Sequence, residues 1–150
     1  MAAIPRSALI LGLSGVLPFA WGALTVLSPA LAQTTDSLIG DGFHGRALLT
    51  VYGLTILAFM SGTLWGFGTR SPNRTARLSY ALSVLPALYG VVAVQFPARS
   101  ACVALAIGFV ILLALDARSQ AIGEAPKWWL RLRVLLTALV VICLGIGGFA

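Results

Sequence analysis

The sequence predicts an all-α integral membrane bundle of five transmembrane helices, and three observations carry that reading. Hydrophobic residues make up 59% of the 150 residues, and charged residues only 9%. The mean hydropathy is +0.99. Apolar stretches of about 20 residues, the length a helix needs to cross a hydrocarbon core about 30 Å thick, recur along the whole chain. A soluble domain carries about 25% charged residues, so the polar surface required by a soluble enzyme or a disordered chain is missing. The net charge of +6 arises in short segments between apolar runs. That placement suits a lipid bilayer rather than DNA, and no nucleic-acid partner is expected.

The spans expected from these runs are residues 8–27, 47–66, 78–96, 97–115 and 132–150. Helices are required because an unsatisfied backbone group is too costly in lipid. The segments between them are rich in Gly, Ser, Pro, Arg and Asp and read as loops. No gap holds a soluble domain, so residues 1–150 read as a single membrane domain.

Five crossings place the two termini on opposite faces. Arg6, Arg70, Arg74, Arg77, Arg118, Lys127, Arg131 and Arg133 then fall on one face, against Arg46 and Arg99 on the other. Cytoplasmic loops retain Lys and Arg, which predicts the N-terminus inside and the C-terminus outside. A rival reading makes the first span a signal peptide cleaved after Ala30-Leu31-Ala32. Its apolar region exceeds the usual length and contains Pro18 and Trp21, so the span is expected to be retained. A weak repeat relates residues 16–22 to residues 84–90 and suggests two parallel hairpins plus a fifth helix.

The second span contains Tyr52-Gly53, Phe59, Gly62 and Trp65-Gly66. Ala58, Gly62 and Gly66 recur every four residues and form one smooth stripe, the kind that lets helices approach closely in lipid. Packing within the bundle is the expected use of that stripe; a docking face for another integral membrane protein is the alternative. Thr55 and Ser61 supply hydroxyls for interhelical hydrogen bonds, worth about 0.6 kcal/mol each.

Pro18 and Pro86 each remove a backbone hydrogen bond and kink a helix. Two kinked helices leave a crevice, with Tyr52, Trp21 and Tyr89 as its candidate lining. Membrane-interface aromatics are the simpler account of these rings. No Asp, Glu, Lys, Arg or His is expected in the middle of a span, which argues against proton relays and ion-coupled carriers. His44 lies in a loop with Asp36 and Asp41, too few ligands for a metal centre. Cys102 and Cys143 sit at different depths and read as buried apolar side chains rather than a disulfide. No catalytic residue, cofactor site or metal site is predicted.

Residues 116–133 have more character. Glu124-Ala125-Pro126 is expected to open the last helix, with Pro tolerated in its first turn. Lys127, Trp128, Trp129, Arg131 and Arg133 then read as an interface anchor attracting anionic lipid headgroups, at about 1 kcal/mol per basic residue. The alternative is a basic docking patch. Asp116, closing the fourth span, is expected to pair with Arg118 or Arg77.

The chain resembles the bacterial domain-of-unknown-function family related to mitochondrial transmembrane protein 69. The resemblance covers most of the chain. It rests on Pro5-Arg6 with Leu17-Pro18-Phe19, the Tyr52-Gly53…Phe59…Gly62…Trp65-Gly66 pattern, Ser83-Val84-Leu85-Pro86, and Leu115-Asp116 followed by Trp128…Arg131-Leu132-Arg133. Ser61 and Leu64 depart from that pattern, which often has a second Gly or a polar residue near the tryptophan. The resemblance implies a multi-pass protein of the bacterial inner membrane, or of organelles descended from bacteria, and carries no activity or site residues with it.

The function expected is that of a non-enzymatic accessory, assembly or stabilising factor of a larger membrane complex. The alternative is a carrier or binding protein for a lipid, quinone or other apolar molecule.

Overall fold

A computed structural model describes residues 3–40, 42–70 and 73–150. Asp41 and the side chain of Arg74, both used above, lie outside the described residues. The elements are α1 (Arg6–Ser14), α2 (Leu17–Leu27), α3 (Pro29–Ile39), α4 (Gly45–Gly68), α5 (Asn73–Ala93), α6 (Ala98–Ala121) and α7 (Trp129–Phe149). Among the described residues there is no strand. Among the described residues, five segments are long and apolar enough to cross a membrane: Arg6–Leu27, Gly45–Gly68, Ala76–Ala93, Ala98–Ala121 and Trp129–Phe149.

Four details differ from the sequence reading. The first span is not one rod: α1 stops at Ser14 and α2 restarts at Leu17, with Pro18 in its first turn. Proline has no N–H to donate, and N–H groups in the first turn of a helix have no partner within it, so Pro18 is tolerated at the start of α2 but would break the ladder of a continuous rod. Residues 29–39, read as loop, form α3. Ser28 is extended, Pro29 opens the helix, and Gly40 at φ 96° ends it. The fourth span runs on to Ala121, so Asp116 lies inside α6 rather than closing it.

Glu124-Ala125-Pro126 does not open α7. It belongs to the turn that ends α6. Gly123, at φ 81°, donates to the Gln120 carbonyl at 3.1 Å, and Glu124 N–H donates to the Ser119 carbonyl at 2.9 Å. This pair of bonds satisfies carbonyls left open by the helix end and needs a left-handed residue between them. Leu130 N–H then finds Gln120 Oε1 at 3.0 Å as α7 begins.

The helices alternate in direction. At one end Thr25 Oγ1 accepts from Gly45 N–H at 2.8 Å, Arg46 Nε donates to the Gly147 carbonyl at 2.6 Å, and Arg99 Nη2 donates to the Ala150 carbonyl at 2.8 Å. At the other end Ser79 Oγ donates to Glu124 Oε1 at 2.7 Å and accepts from Arg118 Nη1 at 3.3 Å.

Helix α4 packs against α2, α5 and α6, and α6 lies along α7. The core contains Phe19, Leu49, Leu57, Leu105, Phe109 and Leu144. Phe19 meets Tyr52 and Phe109 edge-on, with ring centroids 5.0 and 6.0 Å apart. Without water to drive burial, such contacts and close backbone approach hold membrane helices together. A methyl group on Gly22 would fall 2.8 Å from Leu49 Cγ, and one on Gly108 would fall 2.9 Å from Tyr89 Cε1. The outer surface carries Ile10, Val51, Phe59, Val92 and Ile142, all exposed. A hydrocarbon solvent tolerates such side chains.

Candidate functional site

The polar feature with the most structure lies where α6 and α7 converge. Asp116 is five residues from the end of α6, and Arg133 is one turn into α7. The turn at Gly123 folds the two helices alongside each other. Arg133 Nε then donates to Asp116 Oδ2 at 2.7 Å, and Trp129 Nε1 donates to Asp116 Oδ1 at 2.7 Å. The side chains of Arg133 and Asp116 are 5% and 1% exposed. Trp129 is held in turn by Phe67, edge-on at 5.1 Å, and by Trp128 at 5.9 Å.

This arrangement corrects two expectations. Arg133 is not a headgroup anchor: its guanidinium points into the bundle because residues 129 and 133, four apart, share one helix face. The bundle therefore does contain buried ionisable groups. Asp116 pairs with neither Arg118 nor Arg77. Residues two apart on a helix do not face each other, which turns Arg118 towards Ser79. Taking two charges out of water is costly unless each finds close partners, and here both carboxylate oxygens of Asp116 are satisfied.

One turn further along α7, Thr137 is 3% exposed. Thr137 Oγ1 and Arg133 Nη2 are both buried without a hydrogen-bond partner. Arg133 and Thr137 line a cavity of about 170 Å³ together with Gly15, Val16, Phe19, Met60, Phe109 and Val140. The break between α1 and α2 contributes to this space, since Gly15 and Val16 lie in it.

The sequence-predicted residues fall elsewhere. Ala58, Gly62 and Gly66 are all exposed, and nothing lies within 4 Å of a methyl group placed on Gly62 or Gly66. They do not pack within the bundle, so that expectation is corrected. The opposite face of α4 does so instead: a methyl on Gly53 would lie 3.1 Å from Leu105 Cδ1. With Ser61, Trp65, Ser83, Val84 and Ala87, Ala58 and Gly62 border a shallow groove between α4 and α5.

Pro18 and Pro86 do not share a crevice. Pro86 and Tyr89 line an apolar groove between α5 and α6, and Tyr89 Oη donates to the Ala104 carbonyl at 2.9 Å. Tyr52 Oη donates at 3.0 Å to the Gly15 carbonyl, beside the break that precedes Pro18. Trp21 is exposed and lines neither space. The segments of the repeat also differ, since α5 continues through Pro86 whereas the first span breaks. Lys127 and Arg131 are exposed, while Trp128 and Trp129 are half-buried.

His44 Nε2 and Asp36 Oδ1 are 2.7 Å apart at the start of α4. Cys102 and Cys143 are free thiols. The Arg133–Asp116–Trp129 cluster and Thr137 were missed because each residue, read alone, sits near a span boundary. The signal was the four-residue spacing of Trp129, Arg133 and Thr137.

The family model described as "Protein of unknown function (DUF3429)" matches residues 4–149. The chain belongs to the DUF3429 family. It is 29% identical over 142 residues to transmembrane protein 69 of Xenopus tropicalis, covering 93% of this chain and 53% of the relative. It is 32% identical over 143 residues to transmembrane protein 69 of Mus musculus, covering 92% of this chain and 54% of the relative. The chain thus spans about half the length of the curated relatives it matches. No solved structure matches it. Multi-pass membrane character agrees with these DUF3429 relatives, and the family carries no named catalytic activity.

Proposed function

We propose that this DUF3429 protein is a non-enzymatic accessory, assembly or stabilising factor of a larger membrane complex. A single observation carries the proposal. The small-residue stripe Ala58, Gly62 and Gly66 is exposed, and a methyl group on Gly62 or Gly66 would meet nothing within 4 Å. In lipid, a stripe of this kind permits close approach of a second helix, so the occupant is a transmembrane helix of another integral membrane protein. The location that suits it is the bacterial inner membrane, with Lys127 and Arg131 on the cytoplasmic side beside anionic headgroups.

Affinity purification in mild detergent tests the docking face. A stoichiometric membrane partner is expected with the wild-type chain and is lost with Gly62→Ile. A chain that stays alone under several gentle extraction conditions overturns the proposal.

The cavity beside Thr137 favours a second reading, a binding protein for a lipid, quinone or other apolar molecule. Lipid extraction followed by mass spectrometry of the purified chain tests that reading independently.

A further inference from the structure

We infer that the cavity between α1, α4 and α7 takes a lipid-soluble molecule through a neutral carbonyl oxygen, which accepts hydrogen bonds from Arg133 Nη2 and Thr137 Oγ1. This inference rests on the second reading above and specifies its chemistry.

Arg133 and Thr137 are 4% and 3% exposed, both line the cavity, and each carries a buried polar atom with no partner. Buried donors are nearly always satisfied in native proteins, by protein, water or ligand. Thr137 departs from the other threonines whose side chains the structure describes. Thr25, Thr34, Thr35, Thr50, Thr55, Thr63 and Thr69 all turn their hydroxyls back onto a carbonyl three or four residues earlier on their own helix. That bond is the usual resting place for a threonine in a membrane helix. The Thr137 hydroxyl is left for a group in the cavity. Residues 133 and 137 are four apart, so both side chains lie on the same face of α7.

Charge defines the acceptor. The guanidinium of Arg133 is already neutralised by Asp116, whose Oδ2 lies 2.7 Å from Nε. A carboxylate ligand would add a second buried anion against one cation, whereas a carbonyl adds none. The remainder of the lining is apolar, including Val16, Phe19, Met60 and Val140. Its volume, about 170 Å³, is close to that of engineered apolar cavities of about 150 Å³ that bind benzene. A ring or a short acyl segment fits. Leu11 and Phe59, at 72% and 68% exposure, flank the opening and place it on the lipid-facing surface.

Two sources supply this chemistry, a quinone ring and the ester carbonyl of a neutral lipid. The full chain, delipidated in detergent, is titrated by equilibrium dialysis with ubiquinone-1, dioctanoylglycerol, decanoate or decylbenzene. The carbonyl stretch of the bound, isotopically labelled probe is read by infrared spectroscopy. A neutral carbonyl probe is expected to bind with its stretch lowered.

Thr137→Val, which removes a hydroxyl with no protein partner, should weaken that binding roughly fivefold to tenfold and reverse part of the shift. Decylbenzene binding should not change. Val140→Phe, which fills the cavity, should abolish binding of every probe. Loss with ubiquinone-1 assigns a quinone-type ligand; loss with dioctanoylglycerol assigns an ester lipid. Tighter binding of decanoate than of either neutral carbonyl overturns the inference. So does carbonyl binding that Thr137→Val leaves unchanged, although the broader reading then survives. Wild-type protein that binds none of the four probes overturns both.

Discussion

The Ser61 hydroxyl enters helix α5 beside Pro86, donating to the Ser83 carbonyl and accepting from Ala87 N–H at 3.3 Å. Proline removes one rung of the ladder and pushes the preceding turn open. A hydroxyl from a neighbouring helix is one of the few groups that can satisfy the freed atoms in lipid. Ser61 is 3% exposed and belongs to α4, so the repair also fastens α4 to α5.

Ser61→Ala should therefore destabilise the protein by about 1 kcal/mol, read from denaturant titration in micelles. In a Pro86→Ala background, where the ladder closes on itself, the same substitution should cost much less. Equal costs in the two backgrounds would show that the hydroxyl does not serve the kink.

Asp116→Ala should be far more damaging. It strands Arg133 in the bundle, and removal of one partner from a buried pair costs about 3–5 kcal/mol. The double substitution Asp116→Leu with Arg133→Met should recover most of that loss. Additive losses in this double-mutant cycle would argue that the two side chains do not act as a pair.

Trp129→Phe keeps a ring against Phe67 but removes the Nε1 donor to Asp116. A hydrogen bond to a charged group is worth about 1.5–3 kcal/mol, and a drop of that order is expected in the same titration. A change within experimental error would assign Trp129 to packing alone.

Gly53→Ile and Gly62→Ile separate the two faces of α4. A methyl on Gly53 already lies 3.1 Å from Leu105, whereas one on Gly62 meets nothing. The Gly53 variant should lower the melting temperature of the isolated chain by several degrees. The Gly62 variant should leave it unchanged.

The sequence was most informative where one residue class recurs over a long stretch. Five apolar runs, punctuated by Pro, Gly and Arg, were enough to predict five membrane-crossing helices. Interior placement was harder, because glycine occurs on both faces of α4: Gly53 packs and Gly62 does not. A four-residue period reveals a face but not which neighbour it meets. Arg133 was misplaced for a related reason. It lies only four residues beyond Trp129, close enough to the boundary to read as a headgroup contact. Its partner, Asp116, reaches it only because α6 continues beyond Leu115 before turning back. Helix α3 was hidden by polar composition, since Gln33, Thr34, Thr35, Asp36 and Ser37 resemble a loop although Pro29 and Gly40 bracket a helix.

Arg46 and Arg99 were the two exceptions to the segregation of cations, and both point their guanidinium groups at carbonyls at the end of α7, on Gly147 and on the capping residue Ala150. Those carbonyls carry the negative pole of a helix macrodipole. The positive charge at that end is consequently offset by the polypeptide itself before any phospholipid meets it. The electrical contrast between the two rims is steeper than a tally of arginines implies.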